Sequence, residues 1–184
     1  MLQYTSFQIP VFPSYAELHC LTNFSFLRGA SHPEELVEQA AKLEYSALAI
    51  TDECSVAGVV RAHVAAKEMN LKLIVGAEFE FRIPAEARRA TRVGSSPFTL
   101  HSSPRAAQLR LVLLATDRQG YGNLSELITR GRRQAKKGEY SLTLQDIEQG
   151  LPGCLAVWLP PAQPDLERAH WLSERFRDTA WIAA

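Results

Sequence analysis

Apolar runs alternate with segments of helical period along this chain. Tyr15–His19 reads as a first strand. After a loop, Ser31-His32-Pro33-Glu34 has capping-box spacing, with Pro33 in the first turn. It predicts a helix to about Glu44 with Leu36, Ala40 and Leu43 on one face. Ala47–Thr51 is short and apolar without alternation, as a strand buried on both faces should be. Val59–Met69 is expected to be helical, with Val60 and Val64 inward. Leu73–Gly76 begins a third strand that runs into Ala77–Ile83, where Ala77, Phe79, Phe81 and Ile83 alternate with Glu78, Glu80 and Arg82.

Residues 84–108 interrupt this rhythm with Pro84, Gly94, Pro97 and Pro104 among serines. A loop of that length inside a compact domain is either functional or disordered. Leu109–Ala115 is expected as a fourth strand, Gly122–Arg130 as a helix, and Thr143 as the N-cap of a short helix ahead of Asp146. Leu155–Leu159 follows as a fifth strand, Pro164–Phe176 as a helix and Trp181–Ala184 as a sixth apolar run. Strand–helix alternation of this kind implies right-handed βαβ units and a parallel sheet or barrel. A parallel barrel of seven or eight strands would need closing strands. The alternatives are an open sheet or a fragment of a longer protein, and the fragment is preferred.

The composition fits an ordinary globular chain: 184 residues, 46% hydrophobic and 22% charged. That length suits one domain with a substantial core. No apolar run approaches the roughly 18 residues of a membrane span, and Met1–Tyr4 does not open a secretory signal. Three cysteines (Cys20, Cys54, Cys154) without a CxxC argue against a disulfide framework and for a reducing, cytoplasmic setting. The formal net charge is zero, but it is made of blocks. Residues 1–60 carry −5, residues 61–81 zero, residues 82–138 +9 and residues 139–184 −4.

In α/β architectures the reactive groups gather at the C-terminal ends of parallel strands. His19, Asp52, Glu53 and Glu78 occupy such positions. One imidazole and three carboxylates converging there would suit a hard or borderline divalent ion. The plainer reading makes Asp52 a cap for the next turn and Glu78 a solvated strand residue. Cys20 and Cys54 lie beside candidate site residues and are expected to be buried as small hydrophobes. There is no GxSxG, no Walker A sequence and no dinucleotide fingerprint.

Tyr15-Ala16-Glu17-Leu18-His19-Cys20-Leu21-Thr22-Asn23-Phe24-Ser25-Phe26-Leu27-Arg28-Gly29-Ala30-Ser31 resembles the opening of a PHP (polymerase and histidinol phosphatase) domain. It is most similar to the PHP domain of the error-prone branch of bacterial C-family DNA polymerases. Ala49–Ser55 with Gly58-Val59-Val60, Leu73–Glu78, and Leu111–Ala115 with Gly120–Leu124 agree, in the family's order. The resemblance implies a distorted seven-stranded β/α barrel. Residues 1–184 would hold its N-terminal portion, about six strands, with the barrel incomplete and the polymerase core beyond.

The resemblance also implies a ligand set of up to three divalent metals, which this chain meets only in part. His19 stands in the first motif, but Leu21 replaces the second histidine. Arg28 stands where an aspartate is expected, and Asp52-Glu53 where an Asp-His pair is expected. Glu78 is retained, and Arg110 replaces a histidine. Leucine cannot ligate a metal, and arginine stays cationic at any relevant pH. The expected arrangement is therefore a metal-free cluster in which Arg28 and Arg110 pair with Asp52, Glu53 or Glu78. The alternative leaves both arginines in solvent and one metal on His19, Glu53 and Glu78. No catalytic residue is expected in this segment. No cofactor is expected either, beyond at most one residual divalent ion, with Mg²⁺ serving the parent polymerase.

The partners implied are the protein's own polymerase core, DNA through the parent enzyme, and accessory translesion proteins, with no membrane. A free-standing metal-dependent phosphoesterase of the PHP type is the rival reading. The basic block has two parts, one around the 84–108 loop and one comprising Arg130, Arg132, Arg133, Lys136 and Lys137. The second part has three readings: contact with DNA phosphates, docking on an acidic partner, or a solvated helix end favoured by the dipole.

Overall fold

A computed structural model describes residues 15–83 and 108–183. The 84–107 stretch, with Arg88, Arg89, Arg92 and Arg105, lies outside the described residues, as does Met1–Tyr4. Six strands form one curled sheet in chain order: β1 (Ala16–Cys20), β2 (Ala47–Ile50), β3 (Leu73–Arg82), β4 (Gln108–Ala115), β5 (Cys154–Trp158) and β6 (Ala180–Ile182). The helices are α1 (Pro33–Lys42), α2 (Val59–Glu68), α3 (Arg118–Arg133) and α4 (Leu166–Arg175), with a 3₁₀ turn at Leu144–Ile147 capped by Thr143. The sheet is a curled, mixed α/β half-barrel of six strands, in line with the incomplete barrel that the resemblance implies.

The uniformly parallel sheet expected from strand–helix alternation is not what forms. β1, β2 and β3 are parallel, and β5 and β6 are parallel, but β4 runs antiparallel to both of its neighbours. The connection from β3 to β4 lies outside the described residues, and the ladder itself shows the reversal: Gly76 pairs with Leu114 and Arg82 with Gln108. β3 splits its pairing. Leu73–Val75 pair with β2, and Gly76–Arg82 pair with β4.

Alternation along β3 and β4 builds two faces. Ala77, Phe79, Phe81, Leu109, Leu111 and Leu113 are buried with Leu124 and Leu127 of α3, Trp158 of β5 and Leu172 of α4. The opposite, concave face carries Ala49, Val112 and Leu114 in a smaller cluster, and also Glu78 and Arg110. A separate core forms where α1 and α2 cover β1 and β2, around Val37, Leu48, Ile50, Ala62 and Ala66.

Several helix details differ from the sequence reading. The capping box is His32/Glu35, one residue on from Ser31/Glu34, with Glu35 accepting from the His32 amide at 2.8 Å. Val37 and Ala40 are buried on α1, whereas Leu43 is exposed. On α2 the inward residues are Ala62, Ala65 and Ala66; Val60 and Val64 face solvent at 72% and 54% exposure. Small alanines let α2 approach α1 closely, and the larger valines do not fit that contact. Helix α3 begins at Arg118 rather than Gly122, because the Asp117 carboxylate accepts from the Gly120 amide at 2.7 Å. A Cβ on Gly120 would collide with the Gly153 carbonyl, so glycine is what lets α3 start against the entry to β5.

Phe79→Ala removes a ring buried completely between the sheet and α3. Urea denaturation is expected to show a loss of about 3–5 kcal/mol.

Candidate functional site

Three strands and two loops deliver the candidate residues to one rim. His19 sits near the end of β1, Asp52 and Glu53 just past β2, and Glu78 within β3. Arg110 reaches them because β4 is reversed. Its first residues lie beside the last residues of β3, with Arg110 directly opposite Glu80. A parallel β4 would carry Arg110 to the far rim.

Glu78 is the centre. It is 2% exposed, yet three donors converge on it. His19 Nε2 lies 2.8 Å from Oε2. Arg28 straddles the carboxylate, with Nη1 donating to Oε1 and Nη2 to Oε2, each at 2.9 Å. Arg110 Nη2 donates to Oε1 at 2.7 Å. Arg28 Nη1 also donates to Glu53 Oε2 at 3.0 Å. The two-pronged Arg28 contact is the strong, geometry-specific form of guanidinium–carboxylate pairing. Burial alone would push the Glu78 carboxyl up. Hydrogen bonds from His19, Arg28 and Arg110 outweigh it and hold the group at about 2.

Asp52 is as deeply buried but is held differently. It accepts from the Thr22 amide and Thr22 Oγ1, both at 2.8 Å, and from Ser25 Oγ at 2.7 Å. It therefore ties down the loop after β1; it does not cap the turn that follows β2. Ser25 Oγ also accepts from the Glu53 amide at 2.9 Å, which links this clamp to the ion cluster. Thr22 and Ser25 were not singled out in the sequence. The only available signal was their hydroxyl spacing within the motif around His19. Leu21 is partly buried and offers no ligating atom.

Glu78 has both oxygens engaged by cations of the same chain. A divalent ion at this carboxylate would stand within a few ångströms of two guanidinium groups and would compete with them for the same lone pairs. Among the described residues, no group of three or more His, Cys, Asp or Glu side chains is arranged to hold a metal ion. The oxygens of Glu78 that a metal would take are held in this arrangement by His19, Arg28 and Arg110. Burial pushes the Cys20 and Cys54 thiols up to about 11, so neither supplies a thiolate at neutral pH.

The second part of the basic block divides. Arg130 pairs with Glu126 at 2.8 Å and with Asp146 at 3.7 Å. Arg132 is turned inward. It donates to the carbonyls of Cys54 and Glu53 at 3.2 and 3.1 Å and lies over the Tyr140 ring. It thereby braces the loop that carries Asp52 and Glu53. Arg133, Lys136 and Lys137 are exposed. Among the described residues, no helix is long and apolar enough to cross a membrane.

The Glu78 carboxyl is depressed on folding, from 4.5 to about 2. Its stabilising contribution is therefore complete above pH 4.5 and fades as the pH falls toward 2. Urea titrations at neutral pH and near pH 3 should show that loss in the wild-type chain, on the order of 2–3 kcal/mol. Glu78→Gln should flatten that pH dependence and lower stability at pH 7 by about 2–4 kcal/mol. An unchanged pH profile in Glu78→Gln would assign the acid sensitivity elsewhere.

A family model of the PHP domain matches residues 17–157. The chain is 50% identical over 185 residues to the error-prone DNA polymerase of Bordetella parapertussis, covering 94% of this chain and 16% of that protein. It is 51% identical over 169 residues to the error-prone DNA polymerase of Pseudomonas aeruginosa, covering 92% and 14% respectively. The chain thus spans about a sixth of the length of the curated relatives it matches. Among solved structures, it is similar to a protein of Bifidobacterium adolescentis described as a metal-dependent phosphoesterase, with TM-score 0.59 and 16% identity over 92% of this chain and 76% of that one. An amidohydrolase from Chromobacterium violaceum, solved with sulfate and no metal, gives TM-score 0.54 at 14% identity, with the same coverage of each chain. At such identities the structures speak for the fold alone. Their fold, the motifs around His19, Asp52 and Glu78, and the family match over most of the sequence agree: the chain belongs to the PHP domain family.

Proposed function

We propose that residues 1–184 are the N-terminal PHP portion of an error-prone DNA polymerase that acts in damage-induced translesion synthesis in the cytoplasm. The observation that carries this reading is the identity of about half over 94% of the chain to a protein named error-prone DNA polymerase. The parent enzyme would transfer nucleotides from deoxynucleoside triphosphates onto a primer, with Mg²⁺ bound by residues outside this segment. Within it, the PHP portion is a scaffold against which the polymerase core packs, with accessory translesion proteins as further partners.

On this reading the cluster of His19, Asp52, Glu53 and Glu78 is a degenerate metal site. Its support is chemical. Leu21 brings no ligand, and Arg28 and Arg110 bring positive charge to the carboxylate that a metal would use. A 3′–5′ exonuclease or phosphoesterase centre needs a metal to polarise phosphate and activate water. The segment would therefore provide no proofreading. The phosphoesterase reading has a fold neighbour in its favour but no ligand set among the described residues.

Reading the DNA after codon 184 tests the parent enzyme. An open frame carrying polymerase carboxylates is expected, and an immediate stop codon would overturn the reading. Elemental analysis and a phosphoesterase assay with added Mn²⁺ or Zn²⁺ test the degenerate site. At most one metal per chain and no turnover are expected, and more than one tightly bound Zn, Mn or Fe would overturn the degenerate site. Turnover abolished by Glu78→Ala would restore the phosphoesterase.

A further inference from the structure

The loop clamped by Asp52 leaves large apolar side chains in solvent. Thr22 and Ser25 turn down to Asp52, and Arg28 turns to Glu78 and Glu53. Between these anchors, Phe26 is 84% and Leu27 89% exposed. The loop is also closed on itself: the amides of Arg28 and Gly29 both donate to the Ser25 carbonyl at 3.0 Å. A Cβ at Gly29 would collide with the Thr22 carbonyl. Phe26 is thus displayed on a fixed loop, which lowers the entropic cost of using it for binding.

A cavity of about 500 Å³ opens beside Phe24 and Phe26. Its other wall is Arg82, Tyr140 and the turn at Gly138-Glu139. The exposed run through Arg133, Lys136 and Lys137 leads into that turn. In the sequence, Phe24 and Phe26 are more than fifty residues from Arg82 and more than a hundred from Lys136 and Lys137; the fold sets Arg82 on the same cavity, and the lysines immediately precede its Gly138-Glu139 turn. Glu53, which also lines it, is paired with Arg28 at 3.0 Å. Glu139 on the rim leaves the lysine side as the path for an anion.

We propose that this face binds single-stranded nucleic acid, with bases stacking on Phe26 and Phe24 and phosphates following Lys136, Lys137 and Arg82. Rigid aromatic platforms beside a cationic track are what sequence-tolerant single-strand binding requires. An apolar protein partner would match the loop but not the cationic wall. The choice of DNA over RNA rests on the polymerase reading; the surface itself does not.

The test is fluorescence anisotropy of a labelled oligo(dT) of about 12 nucleotides with the 184-residue chain, at about 50 and 200 mM salt. Phe26→Ala is expected to weaken binding about five- to hundred-fold with an unchanged salt slope. Lys136→Gln with Lys137→Gln is expected to flatten the slope by about 1.4. All three positions are exposed, so the fold is not at stake. No binding by the wild-type chain would overturn the proposal. So would Phe26→Ala binding as tightly as wild type, which leaves only general attraction between charges. Phe26→Ala losing association with the polymerase core while keeping the oligonucleotide would make the patch a protein interface and also overturn it. None of these outcomes bears on whether polymerase motifs follow codon 184, so the two readings fail separately.

Discussion

A carboxylate removed from water must find positive charge or donors nearby, because an unpaired buried ion costs many kilocalories per mole. Glu78 is in that position, and the rim is arranged around the need. Its compensation comes from three separate stretches of chain: the end of β1, the loop after it and the start of β4. None of these is adjacent to β3 in sequence. A sheet in which β1 and β2 run parallel to β3, and β4 runs against it, brings all three together. The charge requirement of one residue and the topology of the sheet are therefore the same constraint seen at two scales. Removing one partner from such a pair generally costs more than the pair contributes over an apolar substitute. A cluster of this kind consequently resists change at any single position.

The strands were largely legible, because a doubly buried strand such as Ala47–Ile50 and an alternating one such as Ala77–Arg82 leave patterns that depend on burial alone. The direction of β4 was not legible. Its residues read Gln-Leu-Arg-Leu-Val-Leu-Leu-Ala in either orientation, and direction follows from how the chain is connected. The inward face of α2 was misread for a related reason. Val60 and Val64 are the more hydrophobic residues, but the contact with α1 selects for small size, and alanine wins.

At the site, the residue types announced themselves while their roles did not. Asp52 and Glu78 were both visible as carboxylates at strand ends. One is satisfied by hydroxyls and an amide, the other by guanidinium groups, and only the fold decides which. The basic run illustrates the limit of counting charge. Arg132 and Lys136 contribute equally to a net of +9, yet Arg132 is spent on main-chain carbonyls and Lys136 faces water.

The split pairing of β3 has a consequence for how the molecule holds together as one unit. Two hydrophobic cores lie on either side of it, one under α1 and α2 and one under α3 and α4. Between them run the short ladder from Leu73 to Val75, a small apolar cluster around Ala49 and Val112, and the hydrogen bonds joining Glu78 to Thr51, Asp52 and Cys54. The ion cluster crosses the same seam. His19, Arg28 and Glu53 belong to the first half, and Glu78 and Arg110 to the second. Its electrostatic energy is therefore an interface term, spent on coupling rather than on either core. Charged, Glu78 ties the two halves across the seam. Protonating it weakens the coupling between the halves while leaving the contacts within each core in place.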